Sequence, residues 1–170
     1  MALRLPNLNR CTMNLTEVSL KDISSLQHRV YLPPSRKFEV PVFKVVSYVG
    51  AYRSGGAGKG DALYIKATAT AAHEAWYTSG TIIDFTELAY DWGDEMLWVQ
   101  SLIDPLPVSC AYPLLVVVGP KCEPALRSLL KDDYEGLCLG SLDLAVQALP
   151  VKIAEYERCL REWRAPKNVA

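Results

Sequence analysis

The stretch Thr81-Ile82-Ile83-Asp84-Phe85 decides the fold. It is β-branched and aromatic, follows Ser79-Gly80, and is too short for a helix, so it reads as a buried strand. Upstream, from Ala62 to Tyr77, the pattern changes to a helical period. Ile65, Ala69, Ala72 and Trp76 fall on one face, and Lys66, Thr70, His73 and Tyr77 on another. Asp61 stands at the expected N-cap and Gly80 ends the helix. Before that helix, Val40 to Val49 reads as another strand.

Downstream, Leu88-Ala89-Tyr90 leads into the turn Asp91-Trp92-Gly93. Asp94 then caps an expected helix with Met96, Leu97, Val99 and Leu102 or Ile103 inside, closed by Pro105 and Pro107. Leu114 to Val118 has the composition of a strand buried on both faces. Pro124 fits the first turn of a helix carrying Leu126, Leu129 and Leu130. Gly136 to Leu139 is a short strand, and Ser141 caps a helix with Leu142, Ala145, Val146 and Leu149. A last helix runs from Val151 to Trp163.

The expected class is therefore α/β: four alternating strand-helix units forming a mostly parallel sheet, plus an extra C-terminal helix. Residues 1–34 read as a partly irregular N-terminal extension, and residues 35–165 as a single α/β domain. Within the extension, Leu20, Ile23, Leu26 and Val30 have roughly helical spacing, and Pro33-Pro34 ends that segment.

Composition narrows the function classes. Half of the 170 residues are apolar and 22% are charged, as in ordinary globular domains. The longest apolar run, Pro113 to Val118, is too short to span a bilayer. No signal sequence is apparent, so the cytoplasm is the expected compartment and no membrane partner is expected. Residues 1–60 carry nine Lys/Arg against three Asp/Glu, and residues 61–170 carry nine against sixteen. Without a basic run interleaved with aromatics, nucleic-acid binding is not favoured. The cysteines Cys11, Cys110, Cys122, Cys138 and Cys159 are odd in number and lack Cys-x-x-Cys spacing. They read as free, mostly buried thiols.

Candidate chemistry is sparse. The link Ser54-Gly55-Gly56-Ala57-Gly58-Lys59-Gly60 sits where phosphate-binding loops occur. Asp61 replaces the third glycine of a dinucleotide fingerprint, and Gly60 follows Lys59 where a P-loop needs Ser or Thr. A flexible linker is the favoured reading of this stretch. The carboxylates Asp84, Glu87, Asp91, Asp94 and Glu95 crowd the C-terminal end of the Thr81–Phe85 strand, where open α/β sheets place their sites. No histidine joins them; a solvated loop and helix start explains them best. Trp92 in this polar turn is either folded back on the core or presented to a partner. His28 and His73 lie at no catalytic or zinc-site spacing and read as surface or structural residues. Cys122, near Lys121 and a helix start, is a weak candidate nucleophile. No catalytic, cofactor or metal set is expected.

From Val40 to Leu149 the order of elements resembles the STAS domain, the fold of anti-sigma-factor antagonists and of sulfate-transporter tails. Three stretches carry the resemblance: Thr81-Ile82-Ile83-Asp84-Phe85-Thr86-Glu87-Leu88, the turn Asp91-Trp92-Gly93, and Gly140-Ser141-Leu142-Asp143-Leu144-Ala145. They are similar to the family's apolar strand ending in Asp, its Asp-Ser-Ser/Thr-Gly turn, and its closing Ser-Leu-x-x-Ala helix. The resemblance implies a phosphorylatable Ser or Thr at the turn, yet none lies between Tyr90 and Gln100. What it then implies is a non-enzymatic scaffold that presents Asp91, Trp92, Asp94 and Glu95 to a protein partner. Two other functions remain open. One is an immunity or antitoxin protein whose acidic surface covers a toxin. The other is a small crotonase-like or nucleotide-binding enzyme, faintly echoed by Gly93-Asp94 and the glycine link.

Overall fold

A computed structural model describes residues 16–34, 42–101 and 110–165. Val40, Leu102, Ile103, Pro105 and Pro107, and the irregular residues expected before Thr16, lie outside them. Five strands form one sheet in the order β1-β2-β3-β4-β5: Gln27–Tyr31, Phe43–Ala51, Gly80–Ala89, Leu114–Val118 and Cys138–Leu139. Strands β2 to β5 are parallel, and β1 pairs antiparallel with β2 at the edge. The helices are α1 (Lys59–Ala75), α2 (Glu123–Leu130), α3 (Tyr134–Leu137) and α4 (Leu142–Arg164), with a 3-10 segment at Asp94–Ser101.

The sheet explains why the helices divide as they do. Four parallel strands in sequential order, joined by crossovers of one hand, place every crossover on the same face. That face buries Ala62, Ile65, Ala69 and Ala72 of α1, Met96 and Val99 of the 3-10 segment, and Leu126 and Leu130 of α2 against Val46, Tyr48, Ile83, Phe85 and Val116. Helix α4 follows the last strand and covers the other face, where Ala145, Leu149 and Ile153 meet Val45, Ile82, Leu115 and Val117. Alternate residues of β2, β3 and β4 thus serve opposite cores, and each fully buried Val, Ile or Leu contributes about 1.5–3 kcal/mol. Gly80 opens β3 where a Cβ would stand 3.1 Å from the Leu149 side chain, so its size sets how closely α4 approaches.

Four expectations need correction. Ser19–Val30 is not a helix: a short 3-10 turn at Leu20–Asp22 is followed by strand β1. Because β1 is a mostly exposed edge strand, its sequence carries no burial alternation. The two expected C-terminal helices are one. Pro150 lies inside α4 at an exposed position, where losing one helix hydrogen bond does not leave the proline ring in the core. The segment after Asp94 is 3-10 rather than α-helical, although Met96 and Val99 are buried as expected. Finally, Cys110 and Cys159 form a disulfide, with Cα atoms 5.7 Å apart, while Cys122 and Cys138 are free and buried. The bond ties the lead into β4 to α4, and it removes one ground for expecting a reducing compartment. Among the described residues, no helix is long and apolar enough to cross a membrane.

Candidate functional site

Strand β3 delivers the chain to the C-terminal edge of the sheet, and Tyr90 anchors the turn that follows. Its backbone N–H donates to the Lys121 carbonyl at 3.0 Å, and its hydroxyl donates to the Gly93 carbonyl at 2.7 Å. Gly93 has φ +149°, which an L-residue rarely adopts, so the sharp exit from the turn depends on glycine there. With Tyr90 buried and Gly93 pinned, Asp91, Trp92, Asp94 and Glu95 are all exposed.

The glycine link lies against this turn. It forms a 3-10 turn at Gly55–Gly58 that runs directly into α1. Gly55 N–H donates to the Trp92 carbonyl at 3.2 Å, and Trp92 Cη2 would stand 2.6 Å from a Cβ at Gly55. Trp92 is thus both folded back and presented: its ring seats on glycine while 62% of the residue stays accessible. A Cβ at Gly58 would overlap the Arg53 carbonyl and the Tyr52 ring, and one at Gly60 the Ile23 carbonyl. These glycines permit close backbone packing, so the link is neither a free linker nor an open phosphate cradle.

Asp61, expected as an N-cap, sits instead in the first turn of α1 and is fully buried. It accepts from the Arg53 backbone N–H at 2.8 Å, from Arg53 Nε at 2.8 Å and Nη2 at 2.9 Å, and from the Ser24 hydroxyl at 2.6 Å. Burial pushes the carboxyl up, but the Arg53 and Ser24 hydrogen bonds outweigh it and hold Asp61 below its ordinary value. A carboxylate so occupied at the helix start disfavours an anion there.

A groove of about 710 Å³ opens beside the turn. Asp91, Trp92 and Asp94 form one wall. Leu97, Ala125 and Leu129 add apolar side chains to the lining, and Asp132 and Asp133 further carboxyl groups. Glu95 follows on the same exposed turn; with Asp61 it adds negative charge near the phenol of Tyr52, which burial first of all pushes up to about 12. Sequence reading missed Leu97 as an exposed groove residue and missed the whole second wall. Only the crossover from β4 into α2 and α3 brings Asp132 and Asp133 into the same groove lining as Asp91. Lys131, the one cation in the lining among the described residues, has φ +49°, a strained value for a residue with a Cβ.

The weaker chemical candidates fare differently. Cys122 is fully buried; its Sγ accepts from Gly119 N–H at 3.3 Å and donates to the Phe85 carbonyl at 3.4 Å. Burial pushes the thiol up to about 11, which keeps it protonated and argues against a nucleophile. His28 is exposed, with Nδ1 2.8 Å from the Tyr64 hydroxyl. His73 is buried rather than on a polar face, and Lys44 Nζ lies 3.4 Å from its Nδ1. Among the described residues, no three His, Cys, Asp or Glu gather as a metal site.

No protein-family model and no curated protein matches the chain. Among solved structures the chain is similar to an anti-sigma factor antagonist from Mycobacterium paratuberculosis. The two share 16% identity and a TM-score of 0.51, over 74% of this chain and 95% of that one. At that identity the likeness concerns the fold: this chain has the STAS-like α/β architecture that its sequence resembles.

Proposed function

We propose that the protein is a non-catalytic, STAS-like regulatory module that binds a protein partner through the groove beside Trp92. The observation that carries this is a groove whose described lining combines apolar Leu97, Ala125 and Leu129 with Asp91, Asp94 and Asp132. Such a surface suits an amphipathic basic segment: apolar side chains pack on Leu97, Ala125 and Leu129, and Lys or Arg meet Asp91, Asp94 and Asp132. The exposed indole of Trp92 is a fitting hot-spot residue at the rim, fixed by Gly55 before any partner arrives. Glu95 extends the same acidic turn. The solved neighbour's description as an anti-sigma factor antagonist agrees with a regulatory role.

The test is affinity capture with the wild-type protein and with an Asp91→Lys, Asp94→Lys double variant, matched for thermal stability. Loss of a stoichiometric partner in the variant supports the groove. Retention of the same partner at the same level rejects it. A regulator and a toxin would dock on the same acidic surface, and the chemistry of the captured protein decides between them.

A further inference from the structure

Helix α4 is anchored over only part of its length. Its buried residues are Ala145, Leu149 and Ile153, and over residues 154–164 every position is half-buried or exposed. Pro150 interrupts the helical hydrogen-bond ladder just before Ile153, so the distal half draws less support from the anchored half. Cys159 ties that distal half to Cys110, and the Tyr156 ring packs edge-to-face against Tyr112 at 5.9 Å and 72°. Packing beside it is loose: a cavity of about 370 Å³ lies between it and the end of α1, with Tyr156, Glu157 and Leu160 in its lining.

The other side of the bond is fixed. Cys110 is buried in the lead into β4. Two residues on, the Tyr112 hydroxyl donates to the Thr78 carbonyl at 3.0 Å and lies 3.2 Å from Thr81 Oγ1. The Pro113 carbonyl accepts from Thr81 N–H at 2.9 Å, and β4 then runs between β3 and β5. The disulfide therefore joins a weakly anchored helix end to a segment held by the sheet. A groove of about 310 Å³ has both cysteines in its lining, together with Lys152, Arg158 and Glu155. It gives a reductant a path to the sulfurs, and two cations against one carboxylate favour a departing thiolate.

We propose that the Cys110–Cys159 disulfide is a redox latch on the end of α4, opened by a dithiol reductant. One thiolate of the reductant attacks a sulfur of the disulfide and forms a mixed disulfide, which the reductant's second thiol then resolves. The reductant leaves as a disulfide, two electrons have moved, and Cys110 and Cys159 each carry a proton. Residues 154–164 lose their covalent tie, while the Cys110 segment stays on the sheet. Release of the helix end uncovers Tyr112 at the N-terminal edge of the strands, so the latch sets whether that face is covered. It is independent of the groove beside Trp92, which lies at the other end of β3.

Hydrogen exchange read by mass spectrometry tests this on the full chain, oxidised and after treatment with dithiothreitol. At short labelling times the amides of residues 154–164 should exchange at least ten-fold faster in the reduced protein, while those of β2, β3 and β4 stay protected. Reoxidation should restore the slow rate. A Cys110→Ser, Cys159→Ser variant should match reduced wild type with and without dithiothreitol, which assigns the effect to this bond rather than to the free thiols Cys122 and Cys138. Unchanged exchange of residues 154–164 on reduction, an equal rise across the strands, or a variant that still responds to dithiothreitol would overturn the proposal.

Discussion

The backbone N–H of Gly55 donates to the carbonyl of Trp92 at 3.2 Å, and the indole packs where a Gly55 side chain would otherwise stand. This joins two stretches 37 residues apart in sequence, the link before α1 and the turn after β3. Gly55 has φ +62°, so alanine there costs about 1–2 kcal/mol in backbone strain and also displaces the ring. Gly55→Ala is expected to lower stability by that amount in urea denaturation and to red-shift tryptophan emission. Gly56→Ala, with nothing within 4 Å of the added methyl, is expected to change stability by less than about 0.5 kcal/mol.

Asp61 carries the second prediction. Asp61→Ala leaves Arg53 and the Ser24 hydroxyl without their acceptor, an expected loss on the order of 3 kcal/mol. Arg53 is half exposed and recovers part of its hydration, which keeps the figure from being larger. Because the folded state holds the Asp61 carboxyl below its ordinary value, its stabilisation is present above the unfolded pKa, about 4. It is lost as pH falls through the folded value. Acid titration of wild type against the variant should therefore converge at low pH; parallel curves would contradict the assignment.

The Lys44 ammonium gives the opposite sign. Burial lowers its pKa to about 8, so between pH 8 and the unfolded value, about 10.4, the unfolded chain binds more protons and stability rises with pH. The buried thiols Cys122 and Cys138, pushed up by burial to about 11 and about 12, oppose this as the unfolded thiols ionise. The clean measure is wild type relative to Lys44→Met: a relative gain of about 1 kcal/mol between pH 8 and pH 9. A flat difference would place the Lys44 charge elsewhere.

The disulfide closes a span of 49 residues, which the chain-entropy model values at about 4 kcal/mol. A Cys110→Ser, Cys159→Ser double variant is expected to lose 2–4 kcal/mol in chemical denaturation. Wild type under strong reductant should behave like the variant, and an unchanged midpoint would exclude a contribution from the bond.

The sequence made the parallel core legible because β4 is a continuous apolar run, β2 and β3 are rich in β-branched and aromatic residues, and Ser141 is an unambiguous cap, accepting from Leu144 N–H. It hid β1 because an edge strand with Gln27, His28 and Arg29 exposed has no face to report. The disulfide was hidden by Pro150: only a helix that continues through the proline carries Cys159 back to Cys110. At the candidate site, turn chemistry pointed to Asp91, Trp92 and Asp94. Asp132 and Asp133 join the same groove lining only through the β4 crossover, a tertiary fact with no local signature. His73 was placed on a polar face because helical period alone does not reveal that Lys44, 29 residues earlier, comes to lie beneath it.

The most direct test of the groove as the working surface is quantitative capture of the partner by wild type and by Asp91→Lys, Asp94→Lys at equal folded concentration. The groove account expects one stoichiometric partner, rich in Lys or Arg where it docks, whose recovery falls at least ten-fold in the variant. Recovery of the same partner at wild-type level by the charge-reversed protein would contradict it.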